Sequence, residues 1–181
     1  MRVISGKLKG RVIEGFDLDG TRPTMDRLKE SLFAIIQDKL DESVCLDLFS
    51  GSGNLGIEAI SQGASKAYLV DHNKKAVRVI NNNIEKFNIK EECIVINSDY
   101  KTALKELSNT KFDIIFLDPP YKTDYIEESI NLITKYDILK DNGIIICESD
   151  SLDRIIYSNN YKEIKNKKYG DKYIVILEKI W

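Results

Sequence analysis

The sequence has little of the chemistry that builds metal or disulfide sites. Its 181 residues include one histidine and three cysteines, which are far apart and lie in or beside apolar runs: Cys45, Cys93 and Cys147. Without a Cys-x-x-Cys pair or a second histidine, the chain lacks the usual spacing of a zinc site. We therefore predict no metal, and we expect three buried thiols in a reducing compartment.

Long apolar runs and a strong net charge are also missing. No run approaches the ~18 apolar residues of a membrane span, and the N-terminal MRVISGKLKG has no apolar signal core. We predict a cytoplasmic protein with no membrane partner. Because the formal net charge is −2, any contact with nucleic acid has to come from a local basic patch.

Two stretches of the chain are locally basic. Residues 161–172, YKEIKNKKYGDK, are mainly basic, and residues 1–12 carry four cations and no acid: Arg2, Lys7, Lys9 and Arg11. Each stretch can be a solvated surface or a contact with nucleic acid. Charge alone does not decide between these interpretations.

Short apolar runs alternate with helical patterns through most of the chain. This order predicts a doubly wound α/β fold with a mostly parallel sheet. The segments 161–166 and 172–179 lack room for a helix between them, which predicts an antiparallel hairpin at the C-terminal edge. The predicted strands are 44–49, 67–71, 93–99, 112–118, 143–149 and 173–179, and the predicted helices are 54–62, 73–88, 100–108 and 124–137.

The N-terminal residues follow a different pattern. The stretch RVISGKLKGRVI, residues 2–13, has two β-rich ends around two glycines, which predicts a small hairpin. In the following TRPTMDRLKESLFAIIQDKL, Thr24 or Asp26 can cap an amphipathic helix. We therefore divide the chain into an N-terminal β-hairpin extension, residues 1–23, and a Rossmann-like domain, residues 24–181.

The segment LDLFSGSGNLG, residues 46–56, follows the first predicted strand of the α/β layer. In such sheets, ligands bind outside the carboxyl ends of the strands, where the strand order reverses. Gly51 and Gly53 allow a sharp turn and a close approach of the backbone to a ligand, and Gly56 allows the next helix to pack tightly on the sheet. The spacing Gly-x-Gly-x-x-Gly fits NAD, FAD and S-adenosylmethionine alike.

Two aspartates at strand ends favour a ligand that contains adenosine. Asp71 ends the second strand, 18 residues after Gly53, close to the ~20 residues expected for an acid that binds ribose hydroxyls. Asp99 ends the third strand, where its carboxylate can accept a hydrogen bond from an adenine amine. The alternative for each is a structural one, in which the aspartate caps the following helix.

Asp47 decides between the candidate ligands. It stands four residues before Gly51, where a carboxylate would repel the pyrophosphate of a dinucleotide, and burial would increase that cost. S-adenosylmethionine has no phosphate and carries an ammonium and a sulfonium cation instead. We therefore predict S-adenosylmethionine as the cofactor, held by the glycine loop and Asp47.

The segment FDIIFLDPPY, residues 112–121, is the strongest chemical signal in the chain. Pro119 and Pro120 form a rigid turn that offers acceptors and no amide donor. The Asp118 carboxylate and the Pro119 carbonyl can hold the two N–H bonds of a planar amine, and Tyr121 offers a ring on which a flipped-out base can stack. The alternative is a plain Asp-Pro-Pro turn that ends in a surface tyrosine.

An exocyclic amine on a purine needs this kind of site, because its lone pair is delocalised into the ring. Holding both hydrogens favours a pyramidal nitrogen and directs the lone pair toward the sulfonium methyl. The predicted reaction is an in-line methyl transfer, in which positioning and electrostatic stabilisation contribute most of the rate. No metal and no covalent enzyme intermediate are required.

Five segments, in this order, together resemble the bacterial RsmD-like methyltransferases: MRVISGKLKGR, TRPTMDRLKESLF, LDLFSGSGNLGIEAISQGA, FDIIFLDPPY and KYGD. The resemblance covers nearly the whole chain. It implies a class I S-adenosylmethionine-dependent methyltransferase fold and transfer to the exocyclic N2 of a guanine in small-subunit (16S) ribosomal RNA. The expected partner is that RNA or the small-subunit particle.

The resemblance also implies a role for each candidate residue. Four cations of the N-terminal hairpin would contact RNA phosphates: Arg2, Lys7, Lys9 and Arg11. Arg22, Pro23 and Thr24 would close over the cofactor. Its methionine part would be held by Asp47, Gly51 and Gly53, its ribose by Asp71 and its adenine by Asp99, and Phe49 would also bind the cofactor. The target amine would be held by Asp118, Pro119, Pro120 and Tyr121.

The chain departs from the RsmD-like pattern at three positions. Gln62 stands where arginine is common, Lys172 where threonine is usual, and Asp71 where glutamate is more frequent. Other functions also remain open at this stage, because adenine N6 methyltransferases of DNA share the DPPY segment. An NAD-dependent oxidoreductase and a non-catalytic RNA-binding assembly factor are the alternatives from other classes.

Overall fold

The computed structural model describes residues 1–15 and 23–181. Its seven strands form one sheet in the order β3-β2-β1-β4-β5-β7-β6. The first five strands pair in parallel, and β7 lies antiparallel to both β5 and β6. The strands are β1 Val44–Asp47, β2 Lys66–Asp71, β3 Cys93–Asn97, β4 Phe112–Leu117, β5 Leu139–Ser149, β6 Tyr161–Tyr169 and β7 Lys172–Lys179. The predicted parallel sheet with an antiparallel C-terminal edge is confirmed.

Five helices accompany the sheet in the described part of the chain: α1 Pro23–Ile35, α2 Asn54–Ser61, α3 Lys74–Phe87, α4 Tyr100–Glu106 and α5 Tyr125–Tyr136. α1 begins at Pro23, so both Thr24 and Asp26 lie within its first turn. The prediction that one of them is the N-cap is therefore wrong. Proline is favoured there, since a first-turn amide has no partner inside the helix. Among the described residues, no helix has the length and apolar character to cross a membrane.

The strand order reverses between β1 and β4, and this position determines where the site forms. From β1 the chain moves outward through β2 to β3, and it then returns to the other side of β1 with β4. Asp47 at the end of β1 pairs with Phe116 of β4. The loops that follow β1 and β4 therefore leave the sheet side by side, at the place where such sheets bind ligands.

An apolar layer covers each face of the sheet. One layer contains residues of α1, α2 and α3, including Phe33, Ile57 and Ile80. The other contains residues of α4 and α5, including Leu104 and Ile130. Successive residues of β1 and β4 alternate between the two layers. This burial on both faces explains why these strands are continuously apolar.

The N-terminal segment packs into the first of these layers. Val3, Leu8 and Ile13 are buried there. The two ends of the segment form the small predicted hairpin, with an antiparallel bridge between Arg2 and Val12 and backbone hydrogen bonds on either side of it. Amides between the two ends attach the segment to α2. The amides of Ile4 and Ser5 donate to Glu58, and the amide of Leu8 donates to Ser61.

A buried ion pair connects the N-terminal segment, α1 and α2. Lys29 and Glu58 are 1% and 0% exposed, with 2.9 Å between the Lys29 Nζ and the Glu58 Oε1. The ammonium also donates to the carbonyl of Arg2 and to the side-chain oxygen of Asn54, at 2.6 and 2.7 Å. Burial lowers the pKa of Lys29, and the neighbouring Glu58 opposes that shift. The sequence pattern does not predict this pair.

Candidate active site

Three adjoining cavities of about 180, 330 and 250 Å³ lie beyond the carboxyl ends of β1, β2 and β4. Phe49 lines all three, Asp71 lines the first and second, and Gly51 and Asp118 line the second and third. They therefore form one continuous cleft, which we call the cleft below. It brings together most of the residues predicted to bind the cofactor and the target amine.

The glycine loop forms one wall of the cleft. Gly51 and Gly53 have φ values of 59° and 87°, which residues other than glycine rarely adopt. Gly53 is the N-cap of α2. A Cβ at Gly56 would lie 2.1 Å from the Leu69 Cδ2 on β2. Gly56 thus allows α2 to pack closely on the sheet, as predicted.

Asp47 lies beneath this loop and is 1% exposed. Its Oδ2 accepts hydrogen bonds from the Ser50 hydroxyl at 3.0 Å and the Gly56 amide at 3.3 Å. Its Oδ1 is buried without a partner among the described residues, and the residue lines the third cavity. Burial raises the pKa of Asp47 to about 7. An unsatisfied carboxylate oxygen at this position fits a cationic group such as an amino-acid ammonium.

This geometry predicts a pH-dependent affinity for the cofactor. Asp47 is protonated well below its raised pKa of about 7, so its attraction for an ammonium should be lost as the pH falls. We expect the affinity for S-adenosylhomocysteine, measured calorimetrically, to decrease about tenfold from pH 7.5 to 5.5. An Asp47→Asn variant should bind more weakly at pH 7.5 and show little of this dependence. An equal pH dependence in that variant would assign the effect to another group.

Asp71 connects the glycine loop to the second strand. Its Oδ2 accepts a hydrogen bond from the Gly51 amide, and its Oδ1 accepts one from the Asn73 amide, both at 2.9 Å. Each carboxylate oxygen retains a second lone pair that could accept a hydrogen bond from a ribose hydroxyl. Asp71 therefore orders the loop and lines two of the cavities at the same time.

Asp99 has a definite structural role. It is the N-cap of α4, and it accepts hydrogen bonds from the Thr102 amide at 2.9 Å and the Thr102 hydroxyl at 2.7 Å. These bonds lower the pKa of Asp99. The capping alternative is thus confirmed, while the predicted contact with adenine stays a prediction, since Asp99 also lines the first cavity.

An aromatic cluster forms the apolar side of the first cavity. The ring centres of Phe49, Tyr100 and Tyr125 lie 4.7–6.1 Å apart, and the Tyr100 hydroxyl donates to Glu128. Of these three residues, only Phe49 is predicted from the sequence as a cofactor-binding residue. The signal was available, because each tyrosine directly follows an N-cap aspartate, Asp99 or Asp124.

The DPPY segment directly follows β4, and its Pro120 lines the first cavity together with Asp99. Asp118 is partly buried and Pro119 is buried, whereas Pro120 is exposed and Tyr121 is 40% exposed. The Thr123 hydroxyl donates to the Pro120 carbonyl at 2.9 Å and closes the turn. Tyr121 therefore presents its ring at the mouth of the cleft, where an incoming base could stack.

Asp118 has two charged neighbours that the sequence analysis did not place in the site. Glu148, at the end of β5, lies within hydrogen-bonding reach of Asp118. The Lys172 Nζ is 2.9 Å from the Glu148 Oε1 and 5.5 Å from the centre of the Tyr121 ring. Burial and the Glu148 carboxyl raise the pKa of Asp118. Glu148 could have been inferred from its place at the end of the strand next to β4.

Three of the four predicted RNA-binding cations already make contacts within the protein. Lys7 lies 3.1 Å from Glu92, Arg2 donates to the Gly10 carbonyl, and Arg11 donates to the Lys86 carbonyl. Lys9 is exposed. The contact of these four residues with RNA stays a prediction.

The predicted cofactor lid lies only partly within the described residues. Arg22 is outside them, and Pro23 and Thr24 belong to the first turn of α1. Met25, Leu28 and Lys29, further along α1, line the third cavity. The start of α1 therefore lies close to the predicted cofactor site.

A sequence model of the family called conserved hypothetical protein 95 matches residues 1–178. The chain belongs to this family. The proposed rRNA methyltransferase YlbH of Bacillus subtilis is 40% identical over 152 residues, which are 83% of each chain. The Haemophilus influenzae protein named ribosomal RNA small subunit methyltransferase D is 34% identical over 172 residues, 94% of this chain and 89% of that one. The resemblance to RsmD-like proteins is confirmed.

Solved structures of similar proteins have the same fold. The proposed methyltransferase yhhF from Escherichia coli superposes with a TM-score of 0.88 at 30% identity, over 99% of this chain and 97% of that one. A proposed SAM-dependent methyltransferase from Streptococcus mutans, at 16% identity, has a TM-score of 0.70 over 86% of this chain and 48% of that chain. The fold is therefore the Rossmann-like fold of class I methyltransferases, as predicted.

Proposed function

We propose that this protein transfers a methyl group from S-adenosylmethionine to the exocyclic N2 amine of a guanine in 16S ribosomal RNA. The observation that carries the proposal is the position of two acids, Asp47 and Asp118, in one cleft. Both line the third cavity; Asp47 is the last residue of β1, and Asp118 directly follows the neighbouring strand β4. One carboxyl suits a cationic donor, and the other suits an amine acceptor.

The described residues fit the three parts of the cofactor. S-adenosylmethionine supplies an electrophilic methyl group on a sulfonium. The unsatisfied Oδ1 of Asp47 would bind its ammonium, and Asp71 would accept a ribose hydroxyl. The cluster of Phe49, Tyr100 and Tyr125 supplies an apolar surface for adenine beside the first cavity. The methyl group would then lie between the glycine loop and the DPPY segment.

The DPPY segment would hold the amine. The carboxylate of Asp118 and the carbonyl of Pro119 accept hydrogen bonds from its two N–H groups. Tyr121 stacks on the base at the mouth of the cleft. Stacking of this kind contributes roughly 1–3 kcal/mol per base. The base has to leave its own stack to reach Asp118. We therefore place the target in a loop or an open region of the RNA, because duplex RNA hides its base edges.

The assignment to ribosomal RNA rests on the family and on its relatives. Two relatives carry an rRNA methyltransferase name and align with 83% or more of this chain. An rRNA substrate also implies that the protein works in the cytoplasm. Adenine N6 in DNA is the second candidate, because the DPPY segment suits the amine of either purine. NAD is disfavoured, since the buried Asp47 would face its pyrophosphate.

Incubation with labelled S-adenosylmethionine tests both candidates. The acceptors are unmodified small-subunit particles, naked 16S rRNA and duplex DNA, and hydrolysed products are separated as nucleosides. We expect label in N2-methylguanosine from one or both RNA acceptors, and none in DNA. Label confined to N6-methyladenine would overturn the guanine assignment. Loss of all label in Asp118→Ala protein controls for contaminating enzymes.

A further inference from the structure

A chain of three charged side chains begins at Asp118 and leads away from the cleft. Asp118 and Glu148 line the third cavity together, and the Lys172 Nζ lies 2.9 Å from the Glu148 Oε1. β5 and β7 pair in antiparallel, with Glu148 opposite Ile174. Lys172 stands two residues before Ile174, so it is a diagonal neighbour of Glu148 on the same face of the sheet. The side chains of Glu148 and Lys172 are 7% and 27% exposed, so water screens the pair only in part.

The charges around Asp118 do not balance without Lys172. Glu148 and Asp47 line the same cavity as Asp118 and add two further acids, and both raise the pKa of Asp118. Tyr121 adds no charge in its neutral form. Lys29 also lines the third cavity, but its ammonium is held by Glu58. Lys172 is therefore the cation that acts on the Asp118–Glu148 pair from within the described residues. Two adjacent carboxyls share a proton unless a nearby cation stabilises the second negative charge.

The proposed reaction requires Asp118 in its ionised form. The amine nitrogen forms a bond to the methyl carbon, and the carbon–sulfur bond breaks with its electron pair remaining on sulfur. The nitrogen then bears a positive charge and loses one proton to the Asp118 carboxylate, which becomes a neutral acid. A proton already held between Asp118 and Glu148 would block both the hydrogen bond from the amine and this transfer.

We propose that Lys172 is a positioning residue that holds Glu148 as a carboxylate and thereby leaves Asp118 ionised to receive the target amine. This inference rests on the proposed function. Glu148 acts through Asp118 and would not touch the substrate. Because Lys172 also lies over the ring of Tyr121, it connects the acid that holds the amine with the ring that stacks on the base.

A pH profile of methyl transfer tests this role. Asp118 must lose a proton to work, so kcat should fall on the acidic side, and removal of a neighbouring cation should extend that fall to higher pH. In a Lys172→Met variant we expect the acidic limb of kcat to move up by about one pH unit. Lys172→Arg should restore the wild-type profile. Unchanged limbs in Lys172→Met, or an equal shift in Lys172→Arg, would overturn the proposal.

A double-mutant cycle tests whether Lys172 acts on Asp118 through Glu148. In Glu148→Gln protein no second carboxylate needs a cation, so adding Lys172→Met should shift the acidic limb far less than it does in the wild type. A full shift in that background would also overturn the proposal. Lys172→Thr is the second variant if the methionine destabilises β7, and melting temperatures establish that each variant is folded.

A measurement on the protein alone separates this proposal from the proposed function. Carboxyl ¹³C shifts of Asp118 and Glu148 are followed by NMR during a pH titration of wild-type and Lys172→Met protein. The last proton of the pair should leave about one pH unit higher in the variant. If wild-type protein methylated no nucleic acid but the titration shifted, the proposed function would fail and the electrostatic role of Lys172 would stand. An unshifted titration would exclude that role.

Discussion

Replacing Asp118 with alanine should reduce the rate of methyl transfer by about 10²–10⁴-fold while leaving cofactor binding largely intact. Asp118 is the first residue of the DPPY segment. Its carboxyl lines the second cavity, where the target amine would enter. Its loss removes a hydrogen-bond acceptor, a negative charge near the developing cation and the proton acceptor. Asp47 and Asp71, which are predicted to bind the cofactor, are unchanged.

The measurement compares three quantities for each variant. These are the single-turnover rate on the RNA acceptor, the affinity for S-adenosylhomocysteine, and the melting temperature. Asp118→Asn is the matched control, since its carbonyl still accepts a hydrogen bond but has no charge and takes no proton at neutral pH. We expect it to remain strongly impaired. Substantial transfer by Asp118→Ala would contradict our account of amine activation.

The second large effect concerns stability. Replacing Lys29 with methionine should lower the free energy of unfolding by about 3–5 kcal/mol, because a buried carboxylate is left without its cation. For a chain of this size that corresponds to a melting temperature about 6–20 °C lower. Glu58 is 0% exposed and accepts hydrogen bonds from the amides of Ile4 and Ser5. The loss should therefore also loosen the N-terminal segment.

Denaturant unfolding of cofactor-free protein measures this effect, because Lys29 also lines the cleft. The control is Lys7→Met, which removes an exposed ion pair with Glu92 and should cost less than about 1 kcal/mol. In the double variant Lys29→Met/Glu58→Gln the buried charge is gone, so its cost should be smaller than the sum of the single changes. Equal costs for Lys29→Met and Lys7→Met would show that the buried pair contributes little.

The parts of the fold that the sequence predicts are those with a local cause. Apolar runs alternating with helical patterns predict the strands and their parallel pairing, and from these the place where the loops after β1 and β4 meet. The positions of Asp47, Asp71 and Asp118 follow, because each stands at or just after the end of a strand. Asp99 shows the limit, since a helix cap and an adenine contact need the same residue at the same place.

Contacts between distant segments are the parts that the sequence does not predict. Lys29 lies on an amphipathic helix, where charged residues usually face water, and its pairing with Glu58 depends on how α1 and α2 pack. Glu148 and Lys172 come together only through the antiparallel pairing of β5 and β7. The contact of Lys7 with Glu92 is also distant in sequence, so a basic stretch by itself does not reveal which cations are available to RNA.

The double use of Asp71 couples the two ends of the ligand site thermodynamically. The carboxylate that would bind ribose is the same group that fixes the Gly51 amide, and Gly51 belongs to the loop that would hold the methionine part. Filling the nucleoside half of the cleft would therefore favour the loop conformation that the amino-acid half requires. The binding free energies of the two halves are then not additive, and the intact cofactor gains affinity beyond the sum of its fragments.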